Sequence, residues 1–371
     1  MKLLIIILLS FLAIEALVLP LKGPRREDVK RFLKKRFEDN DAEPKPTADF
    51  LIGSNGQRVE LSLDFTTRDT WVVDANCGNE LCYMGTIGFD ATQSTTFSNS
   101  SLPFKGFFYD ELDAYHPVSG FAVMDKIQLS TYPQNDDKWI SVFALVNKRD
   151  SNTTMGNWPY YGVVGLAPSP GDMLDPVLPH LLQNYDQKVL TIWMHNDGGF
   201  QFFEGFYPGS YEFDWLDNCD NTTYFTVPTT ETNTWRFVIN GVMIGNYSRA
   251  KDENAEINAQ TMLTGVPTIV YNSIVALTGA KPGNSDLLNI DCRKEYPDLT
   301  LNLGSKNLTV PSEVYISTDM ENGARVCRLL LYPTNATGFN PAWKLSYLWF
   351  YEMCFHFNLT PPSVGFSQQT W

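Results

Sequence analysis

The chain has 371 residues, 28 Lys and Arg against 42 Asp and Glu, and a formal net charge of −14. That length is enough for two domains, each burying its own core. The acidic balance argues against nucleic acid and anionic membranes as partners, because their phosphates would be repelled.

Residues 1–16 join one Lys to an apolar run that ends on the small residue Ala16. This is the pattern of a secretory signal peptide, with cleavage expected after Ala16 and no membrane anchor, since the run falls short of the ~20 apolar residues a spanning helix needs. Residues 17–46 form a basic leader that includes Arg25, Arg26, Lys30, Arg31, Lys34, Lys35 and Arg36. Residues 1–43 hold 9 of the basic and 7 of the acidic residues, which leaves 19 against 35 and a net −16 on the body.

Past residue 46 the chain reads as short strands separated by Gly, Pro, Asn and Asp turns. VELSLDF, TWVVDA, WISVFALV, YFTVPT and WRFVINGVMIG alternate or are rich in β-branched and aromatic residues, as strands are. The best helical candidate is DPVLPHLLQNYDQ at 175–187. An all-β chain of this length predicts two β-lobes, here drawn as 47–207 and 208–371. Six cysteines behind a secretory signal predict three disulfides, not a metal site, because no Cys-x-x-Cys pair occurs. Asn-x-Ser/Thr sequons at Asn99, Asn152, Asn221, Asn246, Asn307, Asn335 and Asn358 are candidate glycan acceptors, the last weakened by Pro361 directly after its Thr360. The histidines His116, His180, His195 and His356 are scattered without ligand spacing. Neither a Gly-x-Ser-x-Gly elbow nor a phosphate-binding glycine loop occurs, so no metal and no cofactor are expected.

Residues 50–73 read FLIGSNGQRVELSLDFTTRDTWVV, with Asp64 seven residues before Trp71. This resembles the first active-site segment of pepsin-like aspartic proteases (peptidase A1), in which a strand leads into Asp-Thr-Gly and a Trp-Val pair follows. Phe65 and Thr66 stand in place of the Thr and Gly. Further matches are Cys77 to Phe97, Gly162 to Ala167 and Trp235 to Gly245. The resemblance implies a bilobal pepsin-like acid protease fold, with a central cleft between two β-lobes. It also implies disulfides Cys77–Cys82 and Cys292–Cys327, which leave Cys219 and Cys354 to each other. The basic leader resembles a zymogen prosegment covering an acidic cleft; a solvated charged linker is the plainer alternative.

The family's second active-site segment supplies a second Asp. Matching its Asp-Thr-Gly to Leu263-Thr264-Gly265 puts Leu263 at that carboxylate. Aspartic proteolysis needs two carboxyl groups sharing a proton, one ionised to activate water and one protonated toward the scissile carbonyl. A leucine does neither. Asp64 would then remain as a structural residue, holding its loop by accepting backbone N–H bonds. In the flap hairpin, residues 108–121, Asp113 falls where the family's Tyr usually lies, and Tyr115 is the candidate stand-in. The resulting expectation is a secreted, glycosylated, monomeric homologue without catalysis, found extracellularly, in a gut lumen or in lysosomes, with a peptide or protein ligand in its cleft. The alternatives are an active acid endopeptidase and a structural or storage glycoprotein.

Overall fold

The computed structural model describes residues 46–77, 88–109, 115–129, 139–149, 161–168, 174–183, 187–194, 204–208, 219–283, 287–321, 323–336 and 340–370. The expected signal peptide, nearly all of the basic leader, Cys82, Asp113, Asn152 and His195 lie outside the described residues.

The first lobe contains β1 (Thr47–Ile52), β2 (Gln57–Asp64), β3 (Trp71–Val73), β4 (Ser98–Tyr109), β5 (Tyr115–Leu129), β6 (Trp139–Arg149) and β7 (Gly162–Gly165). Helix α1 (Val177–Leu182), β8 (Val189–Met194) and β9 (Glu204–Pro208) follow. The second half contains β10 (Phe225–Pro228), β11 (Phe237–Ile244), β12 (Tyr247–Asn258), β13 (Thr264–Pro267) and helix α2 (Thr268–Thr278). Next come β14 (Lys281–Pro282), β15 (Leu288–Ile290), β16 (Leu299–Leu303), β17 (Lys306–Val310), β18 (Ile316–Glu321) and β19 (Ala324–Leu329). The last four are β20 (Leu331–Thr334), β21 (Trp343–Ser346), β22 (Met353–Leu359) and β23 (Pro362–Gln368).

Each lobe is built on a seven-stranded sheet, in the order β1-β2-β7-β3-β6-β5-β4 in the first and β17-β16-β11-β12-β21-β13-β20 in the second. The molecule is all-β and bilobal, as the resemblance implies. A five-stranded sheet, β10-β23-β22-β8-β9, takes strands from both halves. The expected boundary at 207/208 therefore falls inside β9, in a sheet that stitches the lobes together. Length and periodicity cannot reveal such long-range pairing.

One apolar core spans both lobes and includes Phe65, Leu166, Trp235, Leu263 and Phe357, while a separate first-lobe cluster gathers around Trp71, Phe104 and Phe108. Helix α1 forms inside the expected 175–187 window but is only six residues long. Helix α2 is a finding. Its β-branched run hides a buried stripe of Val270, Ile274 and Thr278, four residues apart, and Gly279 closes it at φ 67°, a left-handed conformation that favours glycine. The bonds Cys219–Cys354 and Cys292–Cys327 are present, and Cys77 is disulfide-bonded.

Candidate active site

Strand β2 is buried along its last four residues and runs parallel to β7, with Ser62 opposite Val163 and Asp64 opposite Gly165. This carries Asp64 into the interior, 0% exposed. Its Oδ1 accepts the Thr66 N–H at 2.7 Å and the Thr66 hydroxyl at 2.6 Å. The same Asp-x-Thr cradle recurs on the surface at Asp90 with Thr92 and at Asp220 with Thr222. There the threonine hydroxyl, as the leading cause, holds each carboxyl below its usual range. The Asp64 carbonyl accepts the Leu166 N–H at 2.7 Å, and the Leu166 carbonyl accepts Trp235 Nε1–H at 2.7 Å. Phe65 is 2% exposed, stacks on Phe357 at 4.5 Å and meets Phe350 edge-on at 6.0 Å. An aromatic contact worth about 0.5–1.5 kcal/mol beyond burial thus lies one residue from Asp64.

The second lobe repeats this construction. In the first lobe Val163 is paired by Ser62 from β2 and by Trp71 from β3. In the second, Lys344 is paired by Glu256 from β12 and by Gly265 from β13, in the same parallel and antiparallel senses. Ser62 therefore corresponds to Glu256, and Trp71 to Gly265. Two residues beyond Ser62 stands Asp64, opposite Gly165; two residues beyond Glu256 stands Asn258, opposite Ser346. Hydrogen bonds repeat in step. Asn258 Oδ1 accepts the Gln260 N–H at 3.0 Å, as Asp64 accepts that of Thr66. Thr261 Oγ1 accepts the Leu263 N–H at 2.9 Å, as Thr67 accepts that of Asp69 at 3.2 Å.

The register corrects the assignment made from Leu263. That residue corresponds to Asp69, five positions too far along, and is 1% exposed within the apolar core. Asn258, also 1% exposed, occupies the place that Asp64 holds in the first lobe. Thr264-Gly265 misled because it repeats a family dipeptide at the head of β13. The signal that finds Asn258 is the count of seven from the end of one strand to the partner of the next, Asp64 to Trp71 and Asn258 to Gly265.

Further side chains shape the site. Gln260, 0% exposed, reaches across the lobes and donates Nε2–H to the Leu63 carbonyl at 2.6 Å and to Ser62 Oγ at 3.1 Å. Thr264 Oγ1 stays within its own lobe, shared with Ser346 Oγ at 3.1 Å and Trp349 Nε1 at 3.0 Å. Pro267 lacks an N–H, and it stands directly before α2, where a missing donor is tolerated. Across the flap hairpin, β4 and β5 pair to Tyr109 opposite Tyr115. Beside Gly265, a cavity of about 320 Å³ is lined by Arg236, Glu256, Tyr332, Asn335, Asn340 and Lys344 among others.

His356 is buried in β22, its Nδ1 bonded to Thr191 Oγ1 at 2.8 Å and its Nε2 to Ser367 Oγ at 3.0 Å. Burial pushes its pKa down to about 3, so it is a neutral strut. Among the sequon asparagines, Asn99, Asn221, Asn246, Asn307 and Asn335 are exposed. Asn358 is 3% exposed between β8 and β23, and that corrects its place among the glycan acceptors. Among the described residues no cluster of three or more His, Cys, Asp or Glu could hold a metal.

Residues 47–369 match the family model of the eukaryotic aspartyl proteases. The chain belongs to that family. It is 27% identical over 336 residues to aspartic protease 17 of Caenorhabditis elegans, covering 86% of this chain and 81% of that protein. It is 24% identical over 332 residues to aspartic protease 1 of the same organism, covering 85% and 80%. Renin-2 of Mus musculus is 23% identical over 336 residues, covering 85% and 77%. The doubled strand-loop-strand unit around Asp64 and Asn258 lies within the matched residues.

Proposed function

We propose that this chain is a secreted, glycosylated aspartyl-protease homologue that has lost catalysis and retains a cleft for an extended peptide or protein segment. The observation that carries this reading is Asn258 in the position related by the internal repeat to Asp64. An amide has no proton to give up or take at any working pH. It cannot split the two carboxyl pKa values as a coupled pair does, so no base and acid are generated together. Loss of one general acid–base group costs about 10² to 10⁴-fold in rate. Thr66 adds to the loss by engaging one Asp64 oxygen, and Phe65 replaces a hydroxyl with an aromatic ring beside the pair.

A retained cleft is supported by the two-lobed architecture of the family the chain belongs to. Export is supported by the leader sequence, the disulfides and the exposed sequons. Among the described residues no helix is long and apolar enough to cross a membrane. The test is incubation of the processed, glycosylated protein with denatured globin and a quenched peptide at acidic pH, with and without a statine-type inhibitor. No inhibitor-sensitive cleavage is expected, while retention on an immobilised statine peptide reports the cleft. Cleavage at ordinary enzyme rates, blocked by the inhibitor, overturns the reading.

A further inference from the structure

We propose that an N-linked glycan on Asn99 caps the free edge of the first-lobe sheet and keeps the protein from pairing with itself. Strand β4 ends the seven-stranded sheet, and among the described residues it pairs only with β5. A long free edge invites another chain to add a strand. The surface beside it is apolar. Leu102, Met124 and Ile140 are 53%, 40% and 59% exposed, and Phe121 on the other face is 41% exposed, four of the six exposed large hydrophobics among the described residues. Leu102 is opposite Ala122, Met124 opposite Val142 and Ile140 opposite Lys126. With side chains alternating along each strand, Leu102, Met124 and Ile140 form one diagonal stripe across three strands, on the face opposite to that of Asn99, which pairs with Val123.

The middle of the edge carries its own protection. Pro103 withholds a backbone donor and Lys105 presents a charge, both common guards of exposed strands. Residues 98–101, the first third of the strand, have only small polar side chains. It contains the sequon Asn99-Ser100-Ser101 inside a bulge between Asn99 and Leu102, with Ser101 at φ 58°. Asn99 Oδ1 accepts the Ser101 N–H at 2.7 Å, which fixes the orientation of the exposed amide. In the transfer, Asn99 Nδ2 loses one proton and bonds the anomeric carbon of a lipid-pyrophosphate-linked oligosaccharide, whose anomeric C–O bond breaks to release the lipid pyrophosphate. A bulky hydrated glycan at that point obstructs strand addition along residues 98–101.

This inference rests on the export reading, so the test replaces residues 1–16 with a proven secretion signal and is independent of the native leader and of catalysis. The full chain, secreted from eukaryotic cells, is analysed by glycopeptide mass spectrometry and sedimentation. Asn99 is expected to carry glycan, and the protein to sediment as a single chain. Asn99→Gln, or native endoglycosidase trimming of the folded wild type if that variant is not secreted, should produce dimers and larger species. Adding Leu102→Lys to the deglycosylated form should return it to a single chain. An unmodified Asn99 in the secreted protein, self-association despite the glycan, or a deglycosylated form that stays monomeric each overturns the proposal.

Discussion

The two repeated loops use one backbone design for different ends. At Asp64 a carboxylate is cradled by Thr66 and followed by Phe65, whose ring joins the inter-lobe aromatic core. At Asn258 an amide is followed by the small Ala259, and Gln260 spans to the opposite lobe. Gly165, against which Asp64 pairs, must be a glycine, because a Cβ there would lie 2.3 Å from the Arg68 carbonyl carbon. The corresponding Ser346 has room for a hydroxyl and bonds Thr264 with it. One loop has become an apolar anchor and the other a polar tie. The contrast implies that the seam between the lobes serves cohesion.

The largest effect on stability should come from the anchor. Phe65→Ala is expected to cost about 3–5 kcal/mol, read by urea unfolding of the secreted protein. The equivalent change at Ala259 has nothing to remove. A second expectation concerns acid. His356 is faced by Thr191 from β8, Ser367 from β23 and Tyr224 edge-on at 5.0 Å. Its folded pKa, about 3, lies below the ordinary 6.5, so between those values the unfolded chain binds more protons than the folded one. Its contribution is complete above the ordinary value and lost as pH falls toward 3. Thermal melts should decline over that window, and His356→Gln should flatten the decline. A pH-independent difference between the two proteins contradicts the assignment.

Smaller effects separate the loops themselves. Gln260→Ala leaves the buried Leu63 carbonyl without that donor and should cost about 1–3 kcal/mol in the same unfolding assay. Asp64→Asn keeps an acceptor for Thr66 and should cost about 1 kcal/mol or less, leaving retention on a statine peptide unchanged. A larger loss would show that the Asp64 charge does more than hold its turn.

How much of this is legible in the sequence follows from the range of each interaction. Alternation and turn residues announce the strands, and Asp64 with Trp71 announces the first loop, because those signals are local. Helix α2 is masked by the β-branched Thr268, Ile269, Val270, Ile274 and Val275, although Gly279 marks its end. Asn258 is masked for a different reason. Its identity as the counterpart of Asp64 is set by pairing with β21, some ninety residues away, while the nearby Thr264-Gly265 offers a closer verbal match. The buried Asn358 likewise reads as a surface sequon until its neighbours β8 and β23 are placed.

The measurement that tests the account most directly compares two restored carboxylates in one assay. Asn258→Asp with Gln260→Gly, and separately Leu263→Asp, are each incubated with a quenched peptide at acidic pH with and without a statine-type inhibitor, folding being checked by circular dichroism. The account predicts inhibitor-sensitive cleavage, about 10² to 10⁴-fold above wild type, from the Asn258 variant and none from the Leu263 variant. Cleavage gained through Leu263→Asp, or already present at full rate in the wild type, contradicts it.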